Sequence, residues 1–441
     1  MIPTLRSPDQ SFAFLREGYS FIGARCDRLG TDAFYGRLLG RRTLFLRGPL
    51  GVELLYAPGA FPRAGGLPAS AVALLQDRGS VQRLEGQAHR HRKDLLVRLG
   101  SADQAERLAD VFERYFAAAL ARWKQSDGIR LHDELVVLLG LAAQEWAGLP
   151  THPDAERRAR DLGAMIEQAG SVGPANWLAR IRRAGTERWS RRVVRDLRNG
   201  QDDGTPVGAI AHHRDESGQL LDEATAAVEV LNLLRPIVAV ARFIDFAAVE
   251  LDRDPAWQER FRAGDDTAVH HFAQEIRRTT PFFPAIAGVA DREFTWDGTT
   301  VPAGTRTVAD LYGTDMDPRL WPAPRHFDPR RFPGQNGVAN HLVPQGGGDV
   351  HTSHRCPGED LTLALLERSI VLLSRANVHL PAQDLSVNMR RMPALPASRV
   401  VARFPSPGPG PSSTSLEGHR VGPDFIPGAR PSRPAGPHPK H

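Results

Sequence analysis

The chain has 441 residues and only two cysteines, Cys26 and Cys356, far apart in sequence. That excludes a disulfide framework and a four-thiolate zinc site. A net charge of +5 from 56 basic and 51 acidic residues is too weak a field to indicate a nucleic-acid partner. Only Lys93, Lys124 and Lys440 are lysines, a bias that carries no mechanism of its own.

In chain order, the N-terminus MIPTLRSPDQ lacks a charged region followed by an apolar one, so no signal peptide is expected. No apolar run reaches about 18 residues, so no membrane span is expected. The reading is cytoplasmic, where lone thiols stay reduced. Residues 42–47 (RTLFLR) read as a strand. Apolar residues at i, i+3, i+4 spacing predict helices over 102–125, 131–147, 224–252 and 267–279. A further strand is expected over 305–311, a helix over 361–376 and a last strand over 398–403. The fold class is mainly α with small sheets, in one unit over 1–404. Residues 405–441 are rich in Pro, Gly and Ser and read as a disordered tail. No GxGxxG or GxxxxGKS loop is present, which weakens nucleotide-binding readings.

Chemistry concentrates at 344–359, PQGGGDVHTSHRCPGE. Cys356 follows a glycine-rich loop and precedes the 361–376 helix. Helix-terminus amides, Arg355 and His354 should favour its thiolate, and the glycines allow close approach of a flat ligand. A haem-thiolate centre needs this arrangement: one axial Cys, tuning amides and a cation for a propionate. A zinc site using His351 and His354, and a Cys–His nucleophile, are the other readings. Cys26 has no such surroundings and reads as structural. Arg235 is a permanent cation in an apolar run, costly unless it meets an anion or reaches the surface. Pro236 beside it removes a helical donor.

The cysteine loop resembles that of cytochrome P-450 haem-thiolate enzymes. Glu275-Ile276-Arg277-Arg278 resembles the E-x-x-R motif of that superfamily, and 327–332 (FDPRRF) its meander. The resemblance implies that Arg331 joins the Glu275–Arg278 pair, a charge-assisted network locking meander to helix.

Arg235-Pro236, standing where oxygen-activating members carry an acid–alcohol pair, resembles the bacterial fatty-acid peroxygenase branch. The likeness runs to about residue 404, through FLREGYSFI, LEGQAHRHRK, LLRPIVAVARF, FAQEIRRTTPFFP, DLYGTDMDPRLW and PQGGGDVHTSHRCPGE. It implies the P-450 fold, haem b ligated by Cys356, hydrogen peroxide as co-substrate, a long-chain fatty-acid substrate and no redox partner. Arg235 would hold the carboxylate bidentately, which acts as general acid–base and places Cα and Cβ over the iron.

The resemblance also implies Arg63, His89, Lys93 and Arg355 as haem-edge cations. Gln82 would steer towards β-hydroxylation in an α/β mixture, unless it only fills space. Leu67, Ile166, Ala169, Phe282 and Phe283 would be pocket wall. Ser353 stands where relatives favour Gly, which questions the loop geometry. The competing readings are a conventional monooxygenase with redox partners and a non-catalytic haem- or fatty-acid-binding protein.

Overall fold

The computed structural model describes residues 1–67, 72, 74, 75, 79–334 and 340–405. The expected tail lies outside the described residues from 406 onward. The architecture is mainly α with small sheets.

The helices follow their apolar stripes. Ala102–Trp123 buries Ala105, Leu108, Phe112, Phe116, Ala119 and Trp123. Leu131–Trp146 buries almost its whole circumference, as expected of a helix walled on several sides. Each buried leucine or phenylalanine in such a stripe contributes about 1.5–3 kcal/mol. Asp266–Thr279 and Glu359–Arg375 complete the layer beneath the cysteine loop, packed on each other and on Pro255–Arg262.

The long apolar run is the central helix. It begins at Asp222, whose side chain caps the Thr225 amide at 2.9 Å. The expected single helix is interrupted at one residue, Val240, between Glu223–Ala239 and Ala241–Arg253. Pro236 lies one turn earlier and withholds an intrahelical donor. The span Glu223–Arg253 is long and apolar enough to cross a membrane, but 83% of its apolar window is buried within the protein, making it a core helix.

The main sheet has strand order β1-β2-β7-β4, with β1 Ala33–Leu38, β2 Arg41–Arg47, β4 Ala285–Val289 and β7 Arg306–Asp310. β2 and β7 pair in parallel, Phe45 opposite Val308; the other two pairs are antiparallel. Small two-stranded ribbons join β5 Phe294–Trp296 to β6 Thr299–Val301, and β3 Ile129–Arg130 to β8 Val401–Ala402. The strand expected over 398–403 shrinks to β8. Arg399 and Val400 have φ of 58° and 54°, which no extended strand accommodates.

Candidate functional site

The cysteine loop is built on side-chain and backbone clamps. Cys356 is half-buried, and its amide donates to Gln345 O at 3.1 Å. Gln345 Nε2 donates to Thr362 Oγ1 at 3.0 Å and approaches Cys356 Sγ at 3.7 Å. Arg277 Nε donates to Gln345 Oε1 at 3.1 Å. Ser353 is buried; its hydroxyl donates to Asp349 O at 2.6 Å and accepts from the Arg355 amide at 3.2 Å. Serine at this position therefore ties the loop rather than disturbing it.

The loop glycines have a packing role. Gly346 and Gly348 have φ of 100° and 75°, and a side chain at 346, 347 or 348 would strike Tyr56, Val52, Asn340 or Ser353. They let the loop pack on the Pro49–Tyr56 helix. One expectation changes here: the surrounding protein by itself does not favour the thiolate. Desolvation by burial pushes the Cys356 thiol up, outweighing the Gly358 amide, Lys93 and Gln345, which pull it down. A coordinating metal ion would deprotonate it.

The Gly86–Leu99 helix carries His89 and Lys93 to the loop, both buried. Lys93 Nζ donates to Ser353 O at 2.9 Å and to Arg355 O. Burial brings the Lys93 pKa down to about 8. His89 packs against His354 with tilted rings, centroids 4.2 Å apart, and burial, then His354, pushes its pKa down to about 3. Glu85 faces His354 Nε2 at 3.2 Å and accepts from the Arg63 amide at 3.0 Å. A cavity of about 100 Å³ lies between Tyr56, Phe61, His89 and His354.

Arg63 is 4% exposed, and its three guanidinium nitrogens have no hydrogen-bond partner among the described residues. It lies over the Tyr56 ring at 4.8 Å. Burial alone depresses its pKa. The Glu85 carboxylate lies near but bonds the Arg63 amide rather than its guanidinium; a desolvated cation whose donors are unmet is costly, so this corner is complementary to an anion. Arg355 is placed differently: its guanidinium donates to Glu359 Oε2 at 2.8 Å and to Gly348 O at 3.3 Å. His354, expected from the sequence to act on the thiolate, stands beside His89 and Glu85 instead.

On the central helix, Arg235 is buried. Its fork donates to Leu74 O at 3.1 Å, Leu75 O at 2.7 Å and Asn232 Oδ1 at 2.9 Å. It does not reach the surface. Pro236 is the one exposed residue between 226 and 245, next to the buried Arg235. Asn232 Nδ2 donates to Gln82 Oε1 at 3.2 Å and to Glu229 Oε2 at 2.9 Å. Glu229 in turn accepts from the Val81 amide and from Arg92. Gln82 and Arg235 thus meet through Asn232. The i, i+3, i+6 spacing of Glu229, Asn232 and Arg235 in an apolar helix was the available signal for this trio.

The pocket-wall residues divide. Ile166 and Ala169 are buried at the end of Ala155–Glu167, and Phe282 packs on Phe243 at 5.3 Å. Leu67 lies against the sheet cluster of Phe21, Phe34 and Phe45. Phe283 is 42% exposed, its ring 4.9 Å from that of Phe282.

The expected carboxylate between two guanidiniums is present. Arg278 forms two 2.7 Å bonds to Glu275, and Arg331 Nε reaches Glu275 Oε1 at 3.1 Å. Asp328 N adds a 2.9 Å bond from the meander.

The family model for Cytochrome P-450 matches residues 269–375, from the E-x-x-R helix through the cysteine loop. The solved structure of cytochrome P-450SP alpha in complex with (R)-ibuprophen superposes with a TM-score of 0.87 at 37% identity, covering 90% of this chain and 99% of that one. The chain belongs to the cytochrome P-450 family. Cytochrome P-450EX alpha with myristic acid (35% identical, TM-score 0.86, 91% of this chain, 98% of that one) agrees. So does a variant of cytochrome P-450 OleT with arachidonic acid (30%, TM-score 0.87, 92% and 98%). These structures bear out the branch resemblance. Among curated proteins, Rhazimal synthase of Alstonia scholaris is 27% identical over 185 residues, 36% of each chain. The matched part thus spans about a third of that relative's length.

The family binds haem through a cysteine, and the donor set here fits it. Cys356 offers the single soft ligand, while the partnerless Arg63 guanidinium, with His89 beside it, suits an anionic propionate edge.

Proposed function

We propose that this P-450 is a fatty-acid peroxygenase, hydroxylating long-chain fatty acids at the α or β carbon with hydrogen peroxide. The observation that carries this reading is Arg235 followed by Pro236. A buried guanidinium fork stands on the central helix beside the exposed Pro236, where an acid–alcohol pair would otherwise relay protons to dioxygen.

Haem held by Cys356 supplies the oxidising iron chemistry. Arg235 binds the substrate carboxylate with the donors that now meet two carbonyls and Asn232. Asn232 fixes the guanidinium and Gln82 relative to one another. Anchored there, the carboxylate stands where it can move a proton between the two peroxide oxygens. The anchor also limits the reachable carbons to Cα and Cβ. Gln82 lacks an imidazole's acidity, and β-hydroxylation predominates. Ile166, Ala169 and Phe282 exclude water from the acyl chain, Arg63 and His89 hold the propionates, and Lys93 and Arg355 secure the cysteine loop. Peroxide already carries both electrons, so no redox partner is required. The catalytic unit spans 1–404, 405–441 is an appended tail, and two free thiols suit a cytoplasmic location.

The test incubates haem-loaded protein with a long-chain fatty acid and peroxide, without reductase or nicotinamide. Hydroxy acids above a haem-free control are expected. Their absence, with turnover appearing only on addition of ferredoxin and its reductase, would assign a conventional monooxygenase.

A further inference from the structure

The Pro174–Arg198 helix exposes an unusual stripe. Trp177 and Ile181 are 62% and 69% exposed, one turn apart, with Leu178 beside them and Val172 just before the helix at 67%. Continuing the same line at i+11 and i+14 from Trp177 come Arg188 and Arg191, both exposed. The first turns are thus apolar and the later ones cationic. Scattered exposed apolar residues need no explanation, but a contiguous stripe does.

The surroundings extend the pattern. The Gly170 amide donates to Met392 O and the Tyr19 amide to Met389 O, both at 3.1 Å. Tyr19 Oη donates to Phe282 O at 2.6 Å. The turn at 389–392 therefore joins the start of this helix to the N-terminal helix Ser11–Glu17 and to Phe283. Phe12 is 77% exposed on that helix. Arginine outnumbers acid on this rim, although Arg182 lies 4.0 Å from Asp161 and Arg391 pairs with Glu167 at 3.2 Å. Residues 170–192 contain six arginines and a single acid, Glu187, which pairs with Arg183 at 2.7 Å. Arg390 and Arg391 follow on the adjoining turn, and Glu17 is taken by Arg25.

We infer that this rim is a docking surface for an anionic lipid bilayer. Trp177, Ile181 and Phe12 would enter the headgroup–acyl boundary while the arginines meet lipid phosphates. Charge complementarity selects this occupant over a second copy of the chain. A two-fold contact would set the same arginine-rich patch against itself. The rim adjoins Ile166, Ala169 and Phe282, so a docked molecule presents its proposed acyl pocket to the phase in which long-chain fatty acids reside. The docking does not rest on the peroxygenase reading.

Sedimentation of the haem-loaded full chain with vesicles of phosphatidylglycerol and phosphatidylcholine in equal parts tests this, against phosphatidylcholine alone. Binding is expected to the first only and to weaken with salt. Trp177→Ser with Ile181→Ser, and separately Arg182→Glu with Arg188→Glu, should each lower the partition coefficient by roughly tenfold. All four residues are exposed, so the thermal midpoint should not move. No binding to the anionic vesicles, or binding undiminished in both variants, would overturn the inference. So would a dimer in sedimentation velocity that the Trp177→Ser, Ile181→Ser variant dissociates, which would assign the patch to a second copy.

Discussion

Arg278 and Arg63 are both buried guanidiniums, and they are built in opposite ways. Arg278 donates from every nitrogen: to both Glu275 oxygens, to Asp315 O and to Pro324 O. Arg63 donates from none. Equal burial therefore means different things in the two places. Around Glu275 the polypeptide supplies all the countercharge, and the network is part of the fold. At Arg63 and His89 it supplies one carboxylate, Glu85, which bonds the Arg63 amide and faces His354 rather than meeting the guanidinium, and the Arg63 donors are left for something the chain does not encode. Breaking the first region should cost stability; breaking the second should cost cofactor retention.

The largest effect is expected from Glu275→Ala. It strands Arg278 and loosens Arg331 and the meander, and should destabilise the protein by about 3–5 kcal/mol, read as unfolding midpoint or soluble yield. Arg235→Ala should leave folding and haem loading intact and lower fatty-acid turnover by about 10²–10³-fold. An added short carboxylic acid would restore peroxide chemistry on other substrates.

The pH response sharpens the comparison. Burial, then His354, depresses the His89 pKa from 6.5 to about 3. The unfolded chain therefore takes up this proton first on acidification. Stability present above the unfolded value is lost as pH falls towards 3. Glu85, His354, Lys93 and Arg63 share the corner, and Glu85 moderates the effect. Between pH 7.5 and pH 5 His89 should cost the haem-free protein about 2 kcal/mol, and His89→Asn should flatten that slope in denaturant titrations.

Arg63→Met should raise the unfolding midpoint of the haem-free protein, because an apolar chain replaces a buried guanidinium whose donors are unmet. The same change should accelerate haem loss by about tenfold, measured by transfer to a haem-scavenging apoprotein. Arg278→Met should lower the midpoint instead. The smallest change is expected from Gln82→His. It should shift products towards the α carbon or decarboxylation by about threefold, read by chromatography of the product mixture.

Much of this was legible in the sequence because it is local. Glu275 and Arg278 are i, i+3, and the cysteine loop is one continuous segment. The helices over 102–125, 131–147 and 267–279 announce themselves by periodicity. The Pro174–Arg198 helix did not, because its buried side uses Asn176, Arg183, Thr186 and Ser190, leaving the apolar period faint. Long-range partners were equally hidden. Asn232 meets Gln82 across 150 positions, and Glu85 meets His354 across 269; no local pattern records either. The loop glycines are plain in the sequence, but their packing role is not. Which surface a glycine relieves depends on what packs there, and no local pattern records Tyr56, which is distant in the chain.

The central claim is that peroxide, with the Arg235-anchored carboxylate, takes the place of dioxygen and a redox chain. Turnover of a long-chain fatty acid with isotopically labelled hydrogen peroxide under unlabelled air tests it most directly. The account predicts that the label appears in the hydroxyl group of the product. Hydroxy acid carrying unlabelled oxygen from air would contradict it.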